Sequence, residues 1–472
     1  MDSLLQVERM ILDALGHPPT GDQLAACRAM VGFLYSPDPY CAFMLCGYAG
    51  TGKTSLVSAL IKVAPQLDLK TQLLAPTGRA AKVLSSYSGQ HACTIHKRIY
   101  ATVVDSMGNY RMARMQNKAS YTLYIVDEAS MIGNDRMASG RSLLEDLVDY
   151  VLEGHQCRVM FIGDSAQLPP VGMDESPALD MDWLACTTPL HFQRCEMKEV
   201  VRQQSTSGIL SNATAVRQAI GGDSVLGLAF RQKGFLDFCR LDGADLEEIL
   251  FQLYDDYPAD EVVIVTRSNK RANRFNNAIR NRILFREEEI NAGDLLMVVR
   301  NNYYWADPAS EMGFIANGDL VEVLSVRHYV ELYGFHFVDA SLRFVDYPNQ
   351  PTLECKLILE TLHSEAPSLT EDESHRLFAN VMDDYTDIPS RRDRMVEMRR
   401  NPYYNALQVK YAYALTCHKT QGGQWAQVIV DQGFLPDAGV DHAYLRWLYT
   451  AMTRATESLY MLNFNDSFFL DE

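Results

Sequence analysis

The 472-residue chain has no apolar run of about 18 residues or more, so no segment reads as a bilayer-spanning helix. Its first residues, MDSLLQVERMILDALG, carry acids early and lack the basic-then-apolar pattern of a secretory signal. They read instead as a short amphipathic helix. The 10 cysteines are scattered, with no CxxC and no Cys/His ligand spacing. That argues against zinc and a disulfide framework, and for reduced thiols in the cytoplasm. Bases are outnumbered, 43 Lys and Arg against 60 Asp and Glu, for a formal net charge of -17. Taken alone, such a charge argues mildly against nucleic acid, whose non-specific binding comes from neutralised phosphates. There is no internal repeat and no low-complexity tract.

The charge is uneven, however. From Arg267 to Arg286 seven bases occur with no acid. Either a solvated helix face or the border of a basic channel would read this way, and a channel can be basic on an acidic body.

The strongest local signal is GYAGTGKTSL, Gly47 to Leu56. Gly47-x4-Gly52-Lys53-Thr54 follows an apolar strand, AFMLCG, and opens a helical segment, the context a phosphate-binding loop requires. Its glycines let backbone N–H groups face phosphates at a helix N-terminus. Lys53 would reach the β- and γ-phosphates of ATP, and Thr54 would place its hydroxyl on Mg²⁺. Ala49, Gly50, Thr51 and Ser55 complete the cradle. The strand LYIVDEAS then ends in adjacent carboxylates. Asp127 would hold the metal and Glu128 would polarise the attacking water. A third strand, in FIGDSAQLPPVG, ends near Gln167, whose amide can donate and accept and so suits a γ-phosphate sensor. These parts point to NTP hydrolysis without separating a kinase from a motor.

Apolar strands alternate with helical segments along two stretches, the second including EVVIVTRS, GDLLMVV, AQVIVDQG and LYMLNF. The pattern predicts two doubly wound α/β units meeting near residues 200–225. Residues 318–362 show short alternating runs that suggest a small β-barrel, and 363–401 are charged and read as helical or partly mobile.

Further segments appear in a telling order: APTGRAAKVLS, TIHK, VDEASM, GDSAQLPPVG, EVVRQ, LTCHKTQGGQW and LYTAMTRA. The chain resembles the superfamily 1 helicases, most closely the 1B branch of RecD-like and phage Dda-like enzymes, from about residue 20 to residue 460. The resemblance implies an α/β fold of two RecA-like P-loop NTPase domains, with a small β-hairpin insertion and an SH3-like barrel insertion. The first domain would take 1–200, with a short pin at 101–121. The second would take 201–324 plus 406–472, and the barrel with its acidic helical segment 325–405. A plain loop is the other reading of 101–121, where DSMGN has turn chemistry and Met107 or Tyr110 would sit near the tip.

Carried over by position, Gln23 reads the adenine edge, and Arg202 and Arg454 are the arginines the second domain gives to the γ-phosphate. Pro76, Thr77, Arg79, His96, Thr416, His418 and Lys419 match strand-contacting or domain-coupling positions. Asn273, Asn276, Asn277 and Ile279 resemble the RecD-like pattern after a strand of the second domain. The implied activity is an ATP-dependent DNA helicase moving 5′ to 3′, with ATP and Mg²⁺ as cofactors. The partners would be single-stranded DNA and duplex junctions, with replication, repair or recombination proteins, and the chain would be a cytoplasmic monomer off the membrane. An RNA helicase, a RecD-like motor subunit of a nuclease complex and a P-loop kinase are the competing readings. Stimulation by DNA or RNA separates the first, and DNA-dependent ATPase of the isolated chain the second. A kinase would lack paired arginines from a second α/β unit.

Overall fold

The computed structural model describes residues 2–104, 110–136, 140–200, 206–222, 228–306, 314–435 and 440–470. Two parallel sheets dominate it. The first runs in the order Ala92–Thr94, Lys70–Ala75, Thr122–Val126, Arg158–Gly163, Cys41–Gly47, His191–Met197. Cys41–Gly47 is buried along its whole length, as expected of a strand covered on both faces by helices. One apolar layer, with Val57, Leu60 and Leu84, lies on one side of this sheet, and another, with Leu147, Val151 and Leu184, lies on the other.

The second sheet runs in the order Ala414–Thr416, Val262–Thr266, Trp425–Asp431, Ala455–Leu462, Phe238–Leu241, again all parallel. A closed five-stranded barrel stands beside it, built from Leu295–Val298, Leu320–Leu332, Phe335–Phe344, Leu353–Ile358 and Leu407–Tyr411. The run GDLLMVV therefore belongs to the barrel, where it pairs antiparallel with Leu320–Leu332 and Leu407–Tyr411, and not to the second α/β sheet. A short apolar strand buried on both faces has the same pattern in either setting. Sheet and barrel share one core, since Val262–Val265 cluster with Leu296, Val321, Val338 and Leu357.

Residues 363–401, whose role the sequence leaves open, form two helices, Glu371–Asp383 and Arg391–Arg400. Thr370 and Glu373 make a reciprocal capping box at the start of the first, and Ser390 caps the second. Leu377, Val381 and Met398 pack on the barrel residues Phe335, Phe337 and Ile358. Strands Tyr100–Val104 and Tyr110–Arg114 pair antiparallel, with Val104 opposite Tyr110. Within the interval 101–121 the structure thus holds this strand pair, while DSMGN and Met107 lie outside the described residues.

Candidate functional site

The phosphate loop leaves the C-terminal end of Cys41–Gly47 and turns directly into the helix Lys53–Val63. Gly50 and Gly52 take φ of 77° and 81°, left-handed conformations that make glycine the fitting residue there. Gly52 caps the helix with no side-chain hydrogen bond, so no side chain takes the first amides of the helix. A Cβ on Gly47 would lie 3.0 Å from Met197 Cβ and from Thr51 Oγ1, so the loop is closely backed. Thr51 is buried, with its hydroxyl donating to Tyr48 O at 2.8 Å, whereas Thr54 and Ser55 are exposed. The Lys53 ammonium folds back onto the loop and donates to Gly47 O at 2.5 Å and Tyr48 O at 2.9 Å.

Asp127 and Glu128 follow the strand Thr122–Val126, which is separated from Cys41–Gly47 by the strand Arg158–Gly163. Glu128 has φ 51°, a left-handed position that is costly for a residue with a side chain. It donates its backbone N–H to Asp127 Oδ1 at 2.9 Å, and the Tyr87 hydroxyl donates to Asp127 Oδ2. Burial raises the Asp127 pKa, against the pull of these two donors and of Lys53. Burial also pushes Glu128 up to about 7, opposed first by the charge of Arg454 and reinforced by Asp127. A proton acceptor poised near neutrality is what general-base work asks of a carboxylate.

Two amides await partners. Gln23 is fully buried. Its Oε1 accepts from Thr20 N at 3.0 Å in a capping box, which leaves Nε2 without a partner among the described residues. Gln167 is buried too, and its Oε1 has no partner among them either. Orphaned buried polar atoms are rare in folded proteins, and at a phosphate loop they fit a nucleotide. The carboxylate oxygens of Asp127 and the Thr54 hydroxyl suit Mg²⁺, which takes hard oxygen ligands.

The second domain closes this cleft through the helix His442–Met452. The Ala49 N–H donates to the Tyr449 hydroxyl at 2.7 Å, and Leu168 N–H donates to Thr450 Oγ1 at 2.8 Å. Arg446 donates to the carbonyls of Ser165, Gln167 and Asp174. Arg454 is buried and held by Thr450 O, Gly423 O and Thr453 Oγ1. Arg202 lies outside the described residues. Just before it, the backbone N–H groups of Lys198 and Glu199 both donate to Asp22 Oδ2 at 2.7 Å, beside the Gln23 cap.

Beside the cleft a groove of about 560 Å³ is lined by Thr77, Arg79, Thr416, His418 and Lys419, together with Arg267 and Ser268. Both domains supply it. Thr77 also caps the helix Gly78–Ser88. Enclosure lowers the Lys419 pKa to about 8. Arg79 is largely engaged within the protein. Its guanidinium lies 4.1 Å over the Trp425 ring and donates to Gln424 O at 2.7 Å. Pro76 precedes Thr77 and is partly buried. His96 stands apart from this lining, packed against Tyr100 and Phe314, and burial lowers its pKa to about 4.

The basic run divides: Arg267 lines the groove, Lys270, Arg274 and Arg282 are exposed, and Arg271, Arg280 and Arg286 are held within the fold. Arg271 pairs with Asp431 through two 2.5 Å bonds, and Arg280 and Arg286 converge on the buried Asp294. Asn273 donates to His363 O and Ser364 O, and Asn276 to Tyr411 O and Ala414 O. These residues tie the second sheet to the barrel, and of the run's bases Arg267 lines the groove. Sequence reasoning also missed Tyr87 and Tyr449. Tyr449 stands inside LYTAMTRA, so position singled it out, but nothing local to Tyr87 marks it.

Comparison with known proteins adds kinship. Residues 20–233 match an AAA domain model and residues 411–462 a UvrD-like helicase C-terminal domain. The ATP-dependent DNA helicase dda of Enterobacteria phage T4 is 28% identical over 290 residues, covering 60% of this chain and 62% of the relative. The ATP-dependent RecD2 DNA helicase of Deinococcus radiodurans is 35% identical over 150 residues, covering 32% of this chain and 17% of the relative. The matches thus span less than two thirds of these relatives. A Pif1 helicase from Bacteroides, solved with ADP-AlF3 and ssDNA, aligns over 97% of this chain and 95% of its own at 14% identity and a TM-score of 0.46.

Proposed function

This chain is a relative of the superfamily 1B helicases, and from that premise we propose that it is an ATP-dependent DNA helicase moving 5′ to 3′ on single-stranded DNA. The observation that carries the reading is the shared cleft. Tyr449 and Thr450 of the second domain bond the phosphate loop and the Gln167 loop of the first, and residues of both domains line one groove beside it.

In this reading Gln23 reads the adenine with the Nε2 donor its cap leaves over. Lys53 leaves the Gly47 and Tyr48 carbonyls for the phosphates, and the amides after Gly52 join it. Thr54 and Asp127 would hold Mg²⁺, which would supply charge compensation for the triphosphate. Glu128 takes the proton of the attacking water. Gln167 turns its amide N–H group to the γ-phosphate, and Arg454 compensates charge that grows in the transition state. Because Arg454 comes from the second domain, turnover requires closure, and closure moves the groove residues Thr77 and Thr416 relative to one another. Hydroxyls, amides and bases there hold phosphates whatever the sequence. The hairpin 100–114 would be the wedge.

The test is strand displacement with ATP and Mg²⁺ on matched duplexes carrying a 5′ or a 3′ single-stranded tail. Unwinding from the 5′ tail alone, lost in Lys53→Ala, is the expected result. DNA-stimulated ATPase without unwinding would make the chain a translocase or a subunit short of its partner. An ATPase stimulated by RNA and not by DNA would overturn the DNA assignment.

A further inference from the structure

A large cavity of the molecule lies away from the nucleotide. It measures about 800 Å³, within the range of roughly 300–1,000 Å³ typical of small-ligand sites. It opens between the helical insert, residues 371–400, and the segment that follows the barrel strand Leu295–Val298. Arg300 lines it from that segment and Arg399 from the insert, with the rings of Tyr304, Phe378 and Tyr404. Phe378 and Tyr404 meet edge to face at 6.3 Å.

Two features of this lining stand out. Among the described residues that form it there is no aspartate or glutamate, on a chain with 60 of them. Three acids of the first insert helix, Glu371 to Glu373, gather in its opening turn, where Glu373 is spent on the Thr370 cap, and the fourth, Asp383, ends the helix. Second, Asn317 lines both this cavity and the groove of Thr77, Thr416 and Lys419. The two are neighbours across one side chain.

We propose that this cavity is a second binding site for single-stranded DNA, which continues the strand's path from the interdomain groove over the barrel and the helical insert. Arginines take phosphates, and aromatic rings take bases by stacking, which every base can do. An acid-free lining on an acidic body focuses a positive potential onto the strand. The helical insert then forms the far wall of the path and lengthens the stretch of DNA held. This inference rests on the reading of the chain as a DNA motor.

Fluorescence anisotropy on the full chain, with an oligothymidylate series lengthened one nucleotide at a time, tests it at several salt concentrations. For the parent chain, affinity and the slope of log K against log salt should rise again once the strand outgrows the interdomain groove. Arg300→Glu, at an exposed position, and separately Tyr404→Leu should bind short strands as the parent does and lose the later gain several-fold. Arg300→Glu should also flatten the long-strand slope by about 0.7 for each phosphate contact removed. Variants that follow the parent at every length, or a parent whose affinity stops rising at the short plateau, would overturn the second site and leave the motor reading standing. A parent that binds no oligonucleotide of any length would overturn both.

Discussion

The Ala49 N–H donates to the Tyr449 hydroxyl at 2.7 Å, and that hydroxyl donates in turn to Asp164 Oδ2, also at 2.7 Å. One buried phenol so joins the phosphate loop, the loop that carries Gln167 and the second domain's helix. Burial and the nearby Asp164 charge push its pKa well up, so it keeps its proton. Tyr449→Phe should break both bonds, at about 1 kcal/mol each. The Ala49 amide is then released to phosphate while the cleft closes less firmly. The expected outcome is a several-fold lower kcat with a fluorescent ATP analogue bound at least as tightly. Affinity that fell in step with kcat would show that Tyr449 acts in nucleotide binding instead.

Glu128→Gln should bind ATP and lose turnover by roughly 10²–10⁴-fold, the range for a general base. Arg454→Ala should lose roughly 10³-fold or more, as related phosphoryl-transfer enzymes do without their arginine. Single-turnover hydrolysis reads both. Near-normal turnover in Arg454→Ala would refute catalysis across two domains.

Tyr87 sits on the helix Gly78–Ser88, whose first turn carries the groove residues Thr77 and Arg79. Its hydroxyl holds Asp127, so one helix touches both the groove and the carboxylate that would bind metal. Tyr87→Phe should raise the Mg²⁺ concentration needed for half-maximal ATPase and leave kcat at saturating Mg²⁺ close to that of the parent. An unchanged Mg²⁺ requirement would reduce Tyr87 to a packing residue.

Asp319 is buried, with one oxygen bonded to Ala316 N–H and the other unpaired among the described residues, and burial with the nearby Asp346 raises its pKa from 3.8 to about 8. A carboxyl whose folded pKa exceeds its unfolded one adds stability that is complete below the unfolded value and lost as pH rises through the folded value. Resistance to urea should therefore fall between about pH 4 and pH 8. Asp319→Asn should flatten that fall. A midpoint with the same pH dependence in both proteins would place the titration elsewhere.

Much of the site was legible because its parts are contiguous. The phosphate loop needs glycines, a lysine and a hydroxyl within eight residues, and the carboxylate pair needs one strand end, so local spacing suffices. The hairpin 100–114 was half legible, since its turn chemistry suited a pin or a plain loop and only the pairing of Thr102 with Met112 decided. The run GDLLMVV misled for a related reason, because burial on both faces hides which sheet a strand joins.

The sequence by itself determined the phosphate-loop and carboxylate motifs, the two parallel sheets and the likeness to helicases, since each is written in short-range pattern and motif order. The tertiary structure decided which charges face the groove and which are held within the fold. Arg267 lines the groove, while Arg271 is bound to Asp431, which is 160 residues on. A charged side chain's partner is set by what the fold brings within a few ångströms, and spacing along the chain does not encode that. The same holds for Tyr87 on Asp127, for Tyr449 on Ala49, and for the cavity that Arg300 and Arg399 line only because the insert helices dock on the barrel.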